Sequence, residues 1–456
     1  MFGKVLIANR GEIAVRVART LREMGVRTVG VYSSADADPG VLRHFDEVVR
    51  IGPAASARSY QNAAALIEAA LRTGAEAVHP GYGFLAEDPD FAEVCAEAGL
   101  TFIGPAPEQL ARLGDKSSAR RLFSEAGLPL LRGGIAPAAT VEQARAVARE
   151  AGYPVIIKAV AGGGGKGMVV VHGEADLEPQ YRLARASARA VFGDDRVYLE
   201  RYLATARHVE VQVLCDGRGN GVHLGTRDCS VQRRHQKLIE EGPAPALGPA
   251  TLDAITEASV RAVLRLGYAG VGTLEFLVDA DEKFYFMEIN TRIQVEHTVT
   301  EAITGIDLIR EQVLVATGQR LRLRQQDVTV RGVAVECRVN GEDPARNFAP
   351  TPGRLDVFRV PGGPFTRVDT HAYPGYALSP YYDSLLAKVV VWAPDREGAL
   401  YRMDRALAEF EVAGPGVHTT IPFLREVLAD GQFRKAEHST ALVDRVAPDG
   451  RWTRRT

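Results

Sequence analysis

The chain has 456 residues, which at roughly 150 residues per domain predicts about three domains and ample core. Hydrophobic residues at 46% and charged residues at 25% exclude a disordered or fibrous chain. The 55 basic and 57 acidic residues leave a net charge of -2, so there is no global footprint for nucleic acid or an anionic membrane.

Residues 4–8 read as a buried strand. Ile13, Val17, Leu21 and Met24 then recur at helical spacing up to Gly25, and residues 27–32 are strand-like again. The pattern repeats with a helix over 62–71, a strand over 75–79, a turn through Gly81 and Gly83, a helix near 90–98 and a strand over 100–103. Gly104, Pro105 and Pro107 then close an open parallel-sheet unit. The first strand-to-helix turn lacks G-x-G-x-x-G, so the dinucleotide fingerprint is absent. From about 114 to 323 helices mix with strictly alternating strands, for example Val209, Val211 and Val213 against His208, Glu210 and Gln212. Short strands and Pro/Gly turns from 328 to about 446 predict a third, mixed domain, followed by a polar tail. Cys95, Cys215, Cys229 and Cys337 form no C-x-x-C pair, which argues against a zinc or redox site and for a reduced, cytoplasmic protein. The apolar run at 5–8 is too short for a signal peptide, and no stretch approaches the 18 apolar residues of a membrane span.

Four segments carry chemistry. The first is an apolar strand with Lys158, then Gly162 to Gly165, Lys166 and Gly167, then a second strand over 168–171. Glycines free backbone N–H groups to wrap a polyphosphate. Val160 and Gly167 break the Walker A pattern, so the segment reads as a glycine-tipped hairpin closing over ATP, with a plain surface hairpin as the alternative. The second is a strand pair, 273–278 and 284–290. With Val278 facing Tyr285, Glu275 stands opposite Glu288, and Asn290 and Arg292 share that face. Such a face suits Mg²⁺, unless it is merely a solvated side of a hairpin. The third is Arg227, Arg233, Arg234, His235 and Lys237, a cation cluster without aromatic residues for base stacking, better suited to a small anion than to nucleic acid. The fourth is Arg292, Gln294 and Glu296, where a general base and a structural ion pair fit the pattern equally.

In this order the segments resemble the biotin carboxylases of the ATP-grasp superfamily. The resemblance runs through Ala8-Asn9-Arg10-Gly11-Glu12, His79-Pro80-Gly81-Tyr82-Gly83-Phe84, Gly114-Asp115-Lys116, Gln232-Arg233-Arg234-His235-Gln236-Lys237, Asn290-Thr291-Arg292-Ile293-Gln294-Val295-Glu296-His297, Glu336-Cys337-Arg338 and Tyr381-Tyr382-Asp383. It implies an α/β protein with a Rossmann-like parallel-sheet domain at 1–113 and an ATP-grasp domain at 114–327 with its lid at about 132–203. A mixed α+β domain at 328–446 and a tail at 447–456 would follow.

The resemblance also implies a reaction and its residues. ATP and bicarbonate would form carboxyphosphate, and biotin would be carboxylated at N1′. Lys116, Lys158, Gly164, Gly165, Glu200, Arg201, Leu203, His208, Gln232 and His235 would hold ATP. Glu275, Glu288 and Asn290 would hold two Mg²⁺ or Mn²⁺ ions. Lys237, Arg292, Gln294 and the Val295 backbone would bind bicarbonate, and Glu296 would take its proton. Arg338 and Asp383 would meet biotin, with Arg338 stabilising its enolate. The implied partners are a biotin carboxyl carrier protein, carboxyltransferase subunits and a second copy in a homodimer, in a setting such as fatty acid biosynthesis. None of the five methionines precedes a lysine, and the chain ends near the expected close of the third domain, so biotin is expected in trans. Arg201, Thr226, Gly242 and Thr298 depart from the family pattern, and Thr298, where proline is usual, predicts a shifted loop beside the base. The two alternatives are another ATP-grasp ligase, such as a carboxyamino-imidazole ribotide synthase, and a non-catalytic nucleotide-binding subunit.

Overall fold

Strand-helix alternation with fully apolar strands requires a sheet covered on both faces, and the first hundred residues form one. The computed structural model describes residues 1–161, 167–450 and 452. Strands β1 (Lys4–Ile7), β2 (Arg27–Ser33), β3 (Glu47–Gly52), β4 (Ala77–His79) and β5 (Thr101–Phe102) lie in the order β3-β2-β1-β4-β5, all parallel. The edge strand β3 escapes the sequence pattern because only Val49 and Ile51 are buried, and the exposed Arg50 between them helps keep the edge from pairing further. The helix Ala63–Thr73 starts where the Asn62 side chain accepts from the Ala65 N–H at 3.2 Å and stops at Gly74, whose φ of 67° is left-handed. Asn9 Nδ2 donates to the carbonyls of Pro80 and Tyr82, both at 2.7 Å, which ties the turn after β1 to the turn after β4 at one end of the sheet.

The lid has its own small antiparallel sheet, β6 (Val155–Ala159), β7 (Met168–Val171) and β8 (Val197–Arg201), in the order β7-β6-β8. Helices Val141–Ala151 and Glu174–Phe192 cover it around Ala144, Ala148, Ile157, Leu177, Tyr181 and Leu199. The expected hairpin therefore forms, with its tip, including Gly164 and Gly165, outside the described residues.

The largest sheet has eight antiparallel strands and carries the middle and last parts of the chain together. Strands β9 (Arg207–Asp216), β10 (Gly221–Arg233), β11 (Gln236–Gly242), β12 (Ala269–Val278), β13 (Phe284–Asn290) and β14 (Val333–Asn340) run in the order β13-β12-β9-β10-β11-β14. Leu385–Ala393 and then Thr366–Thr370 continue it beyond β14. Pairing of β14 with β11, Glu240 opposite Glu336, carries the C-terminal region into the central sheet and Arg338 with it. Behind the last strands a separate core gathers Val389, Val391, Met403, Leu407, Phe423 and Phe433, each buried side chain contributing about 1.5–3 kcal/mol.

The expected register of β12 with β13 needs a correction. Val278 faces Phe284, not Tyr285, and Phe276 faces Phe286; a bulge beyond Phe276 then brings Glu275 opposite Glu288 and Thr273 opposite Asn290. The turn sets the first register, because Asp279 Oδ1 accepts from the N–H groups of Asp281 and Lys283 at 3.0 and 2.9 Å. The bulge absorbs Met287, so Phe276 and Phe286 stay in the core with ring centroids 6.0 Å apart while both glutamates face the opposite side.

Candidate active site

The loops after β1 and β4, the lid and one face of the eight-stranded sheet enclose a cavity of about 860 Å³. Every expected site residue among the described ones lines it: Lys116, Lys158, Glu200, Arg201, Leu203, His208, Gln232, His235, Lys237, Glu275, Glu288, Asn290, Arg292, Gln294, Val295, Glu296, Arg338 and Asp383. Their sequence separation disappears because β9 to β14 lie side by side and alternate residues share a face.

Lys237 on β11 is the centre of charge. Its ammonium donates to Glu296 Oε1 at 2.7 Å, to Glu275 Oε1 at 3.0 Å and to Glu210 Oε1. Arg338 reaches the other Glu296 oxygen at 2.8 Å and donates through Nε to Glu240 at 2.6 Å. Burial alone would raise the Glu296 carboxyl, but Lys237, Arg338 and Arg227 more than offset it and hold it well below the usual range. Glu240 goes the other way: burial pushes it up to about 7 against the pull of Arg338. Glu296 is thus an ionised carboxylate between two cations, able to accept a proton from an anion held by the same cations.

On the β12–β13 side, Glu275 accepts from Asn290 Nδ2 and Gln294 Nε2, both at 2.8 Å, and lies 3.0 Å from His208 Nε2, while Glu288 pairs with Lys116 at 3.1 Å. Burial penalises the Glu275 charge, yet Lys237 and His208 leave its carboxyl well below the ordinary value. Two opposed carboxylates and an amide oxygen form an all-oxygen donor set, and each carboxylate already draws an ammonium. That fits divalent cations. The tighter cluster of His208, Glu210 and Glu275 shares Glu275 with this set, and the Lys237 ammonium bonds both of its carboxylates.

Toward the lid, Glu200 is satisfied by Arg120 at 2.6 Å and by Lys158, so its carboxylate steers Lys158. Gln232 Nε2 contacts His208 Nδ1 at 3.3 Å, and Arg201 turns its guanidinium to the Tyr153 carbonyl. Asp383 stands exposed at the mouth of the cavity, accepting from the Leu385 N–H at 2.9 Å.

The cation cluster at 227–237 is not one anion site. Strand alternation and the tight turn at Arg234 and His235 send its members apart: Lys237 and His235 face the cavity, Arg233 bonds the Asn347 carbonyl at 2.9 Å, and Arg227 is wholly buried. Arg227 donates to Glu210 at 2.8 Å, Gln212 at 2.8 Å, Thr300 at 2.8 Å and Gln294 at 2.6 Å, so it orients Gln294. Sequence reasoning missed Glu210 and Glu87. Glu87 accepts from the Thr291 N–H and Arg292 Nε, both at 3.0 Å, and pins Arg292 to the first domain. The alternation of β9 was the available signal for Glu210, since a strand in mid-sheet buries its polar face too.

The departures have physical reasons. A Cβ at Gly242 would lie 2.7 Å from Val299 Cγ1, so alanine there would force Val299 to shift. Thr226 Oγ1 accepts from the Ala244 N–H at 3.1 Å. Thr298 sits in the first turn of the helix His297–Thr304 and gives its hydroxyl to Glu336, a bond proline cannot make.

Family models match along the chain: biotin carboxylase N-terminal domain at 1–110, carbamoyl-phosphate synthase L chain ATP-binding domain at 115–324, and biotin carboxylase C-terminal domain at 336–445. The chain is 49% identical over 445 residues to biotin carboxylase 1 of Bacillus subtilis, covering 97% of this chain and 98% of the relative. The chain belongs to the biotin carboxylase family. A biotin carboxylase in complex with β-γ-ATP from Campylobacter jejuni superposes with a TM-score of 0.95 at 44% identity, covering 98% and 99% of the two chains. The dimeric biotin carboxylase domain of Hydrogenobacter thermophilus 2-oxoglutarate carboxylase, solved with MgADP, ADP and bicarbonate, gives 0.94 at 44% identity, with 98% of each chain covered. Membership of the biotin carboxylases displaces both alternatives. No described helix is long and apolar enough to cross a membrane.

Proposed function

We propose that this biotin carboxylase, an ATP-dependent ligase, uses bicarbonate to carboxylate biotin N1′ on a separate carrier protein, with the residue roles that follow. The observation that carries those roles is the Glu296 carboxylate lying 2.7 Å from Lys237 and 2.8 Å from Arg338 in the cavity that Arg292, Gln294 and Val295 also line. Bicarbonate is a poor electrophile. Lys237, Arg292, Gln294 and the Val295 N–H would hold it while Glu296 takes its proton, and the resulting oxyanion would attack the γ-phosphoryl group of ATP. ADP leaves, and carboxyphosphate breaks down to CO₂ and phosphate beside biotin. The released phosphate would take the N1′ proton as the biotin nitrogen attacks CO₂ and the new C–N bond forms, and Arg338 would stabilise the negative charge on the ureido oxygen, with Asp383 at the mouth. Lys116, Lys158, His208, Gln232, His235, Gly164, Gly165 and the hinge from Glu200 through Arg201 to Leu203 would bind ATP. Two Mg²⁺ or Mn²⁺ ions on Glu275, Glu288 and Asn290 would neutralise phosphate charge.

The family-model boundaries support domains at 1–113, 114–327 and 328–446 with a tail at 447–456. The Hydrogenobacter dimer supports a homodimer here. The wider reading is a cytoplasmic subunit that exchanges biotin with a carrier protein and carboxyltransferase subunits. Phosphate release from ATP should require both Mg²⁺ and bicarbonate and should rise with free biotin; a rate indifferent to bicarbonate overturns the assignment. Labelled streptavidin should not stain this chain after expression beside a biotin ligase; covalent biotin on it would overturn delivery in trans.

A further inference from the structure

Val295 lies between two peptide planes, and each plane is gripped through its carbonyl oxygen by a side chain that is completely buried. The Gln294 carbonyl accepts from His297 Nδ1 at 2.6 Å, and the Val295 carbonyl accepts from Lys388 Nζ at 2.9 Å. His297 and Lys388 are both 0% exposed. A carbonyl can only accept, so His297 Nδ1 carries the proton. In a trans peptide the C=O and the N–H point in opposite directions from one rigid plane. Fixing the Gln294 oxygen on His297 therefore aims the Val295 N–H the other way, and that N–H has no acceptor among the described residues.

Lys388 is itself anchored. It comes from the strand Leu385–Ala393 directly opposite Arg338, and its ammonium lies 3.2 Å from Glu12 Oε2 on the helix Gly11–Glu23. Glu12 also takes the Tyr82 hydroxyl, so the first and last domains both hold the peptide that follows Val295.

We propose that His297 and Lys388 are positioning residues that hold the Val295 amide on the bicarbonate anion without touching it. The inference rests on the reading above that Val295 binds bicarbonate. Loss of one aimed N–H from an anion should weaken its binding about 10-fold to 100-fold, and ATP contacts lie elsewhere in the cavity.

The test compares His297→Asn, whose amide N–H sits near the Nδ1 position, with His297→Gln, which places its amide near Nε2, and adds Lys388→Met, all in the full chain. Steady-state ATP cleavage gives KM for bicarbonate and for ATP, and thermal melts report folding. His297→Gln and Lys388→Met should raise the bicarbonate KM about 10-fold to 100-fold with the ATP KM within about twofold, while His297→Asn stays within about threefold. Equal bicarbonate KM values in the Asn and Gln variants, or equal rises in both KM values, overturn the inference. If the unmodified protein shows no bicarbonate-dependent cleavage, the functional reading falls first, a distinct outcome.

Discussion

Replacing Glu296 with Gln removes the proposed base while leaving its shape and its neighbours in place. Neither cation is stranded: Lys237 keeps Glu275 at 3.0 Å and Glu210, and Arg338 keeps Glu240 at 2.6 Å. Two charge-assisted hydrogen bonds are weakened, and the Gln amide oxygen remains an acceptor for one, so the fold should lose about 1–3 kcal/mol. The chemistry should lose far more, about 10²–10⁴-fold, because the positioned proton acceptor is gone. Urea unfolding and bicarbonate-dependent phosphate release at saturating ATP separate the two magnitudes. The pH dependence has a definite sign. Glu296 titrates below its ordinary value of 4.5 in the folded protein, so its stabilisation is fully present above that value and lost as the pH falls through the lower folded one. The stability gap between wild type and variant should shrink as the pH falls below about 4.5. A folded Glu296→Gln protein within about tenfold of the wild-type rate would refute the base assignment.

Arg338→Ala should retain bicarbonate-dependent ATP cleavage better than carboxybiotin formation, because its charge is placed for biotin; its 2.8 Å bond to Glu296 should also move the acid side of the cleavage profile upward. Equal loss of both activities would contradict that division. Asp228 is buried, yet Arg207 at 2.8 Å and His438 at 3.3 Å hold its carboxyl far below the usual range. Asp228→Asn should cost about 3–5 kcal/mol at pH 7 in urea unfolding, a gap that closes as the pH drops below about 4; a gap that persists there would show the charge is not responsible. Thr298→Val keeps the side-chain shape and removes the donor to Glu336, for an expected loss of about 1–3 kcal/mol. An unchanged midpoint would mean that bond contributes nothing.

The parts of the site legible in the sequence were those whose signal is local. Lys158 sits on one arm of the lid hairpin, and Glu275 and Glu288 sit on two strands joined by a short turn, which brings them close; the bulge at Met287 is what puts both on one face. Even there the turn and the bulge at Met287 changed the register at one end. The residues that escaped notice have remote partners. Glu12 meets Lys388, Glu87 meets Arg292, and Arg16 meets Glu301 at 2.8 Å across 285 positions of sequence. Composition counted the cations from Arg227 to Lys237 as one cluster, but strand alternation divides them between core, cavity and surface.

His208, Glu210 and Gln212 look like the solvated edge of a strand and are in fact buried, at 4%, 0% and 0% exposure. Stability alone does not explain this arrangement. Removing Glu210, Lys237, Arg227, Glu296 and Arg338 from water costs several kcal/mol for each ion before pairing offsets it, and apolar residues of like size would hold the sheet at least as well. The valines on the other face of β9 do hold it, packed on Leu274 and Phe276. Charges of both signs, interleaved on neighbouring strands with every carboxylate near a cation, make sense where an anion must enter a site already oriented for it, with no water left to rearrange. An alternating strand flanked on both sides by other strands, with Glu, His and Gln on its supposed outer face, is therefore a sign of a site rather than of a surface.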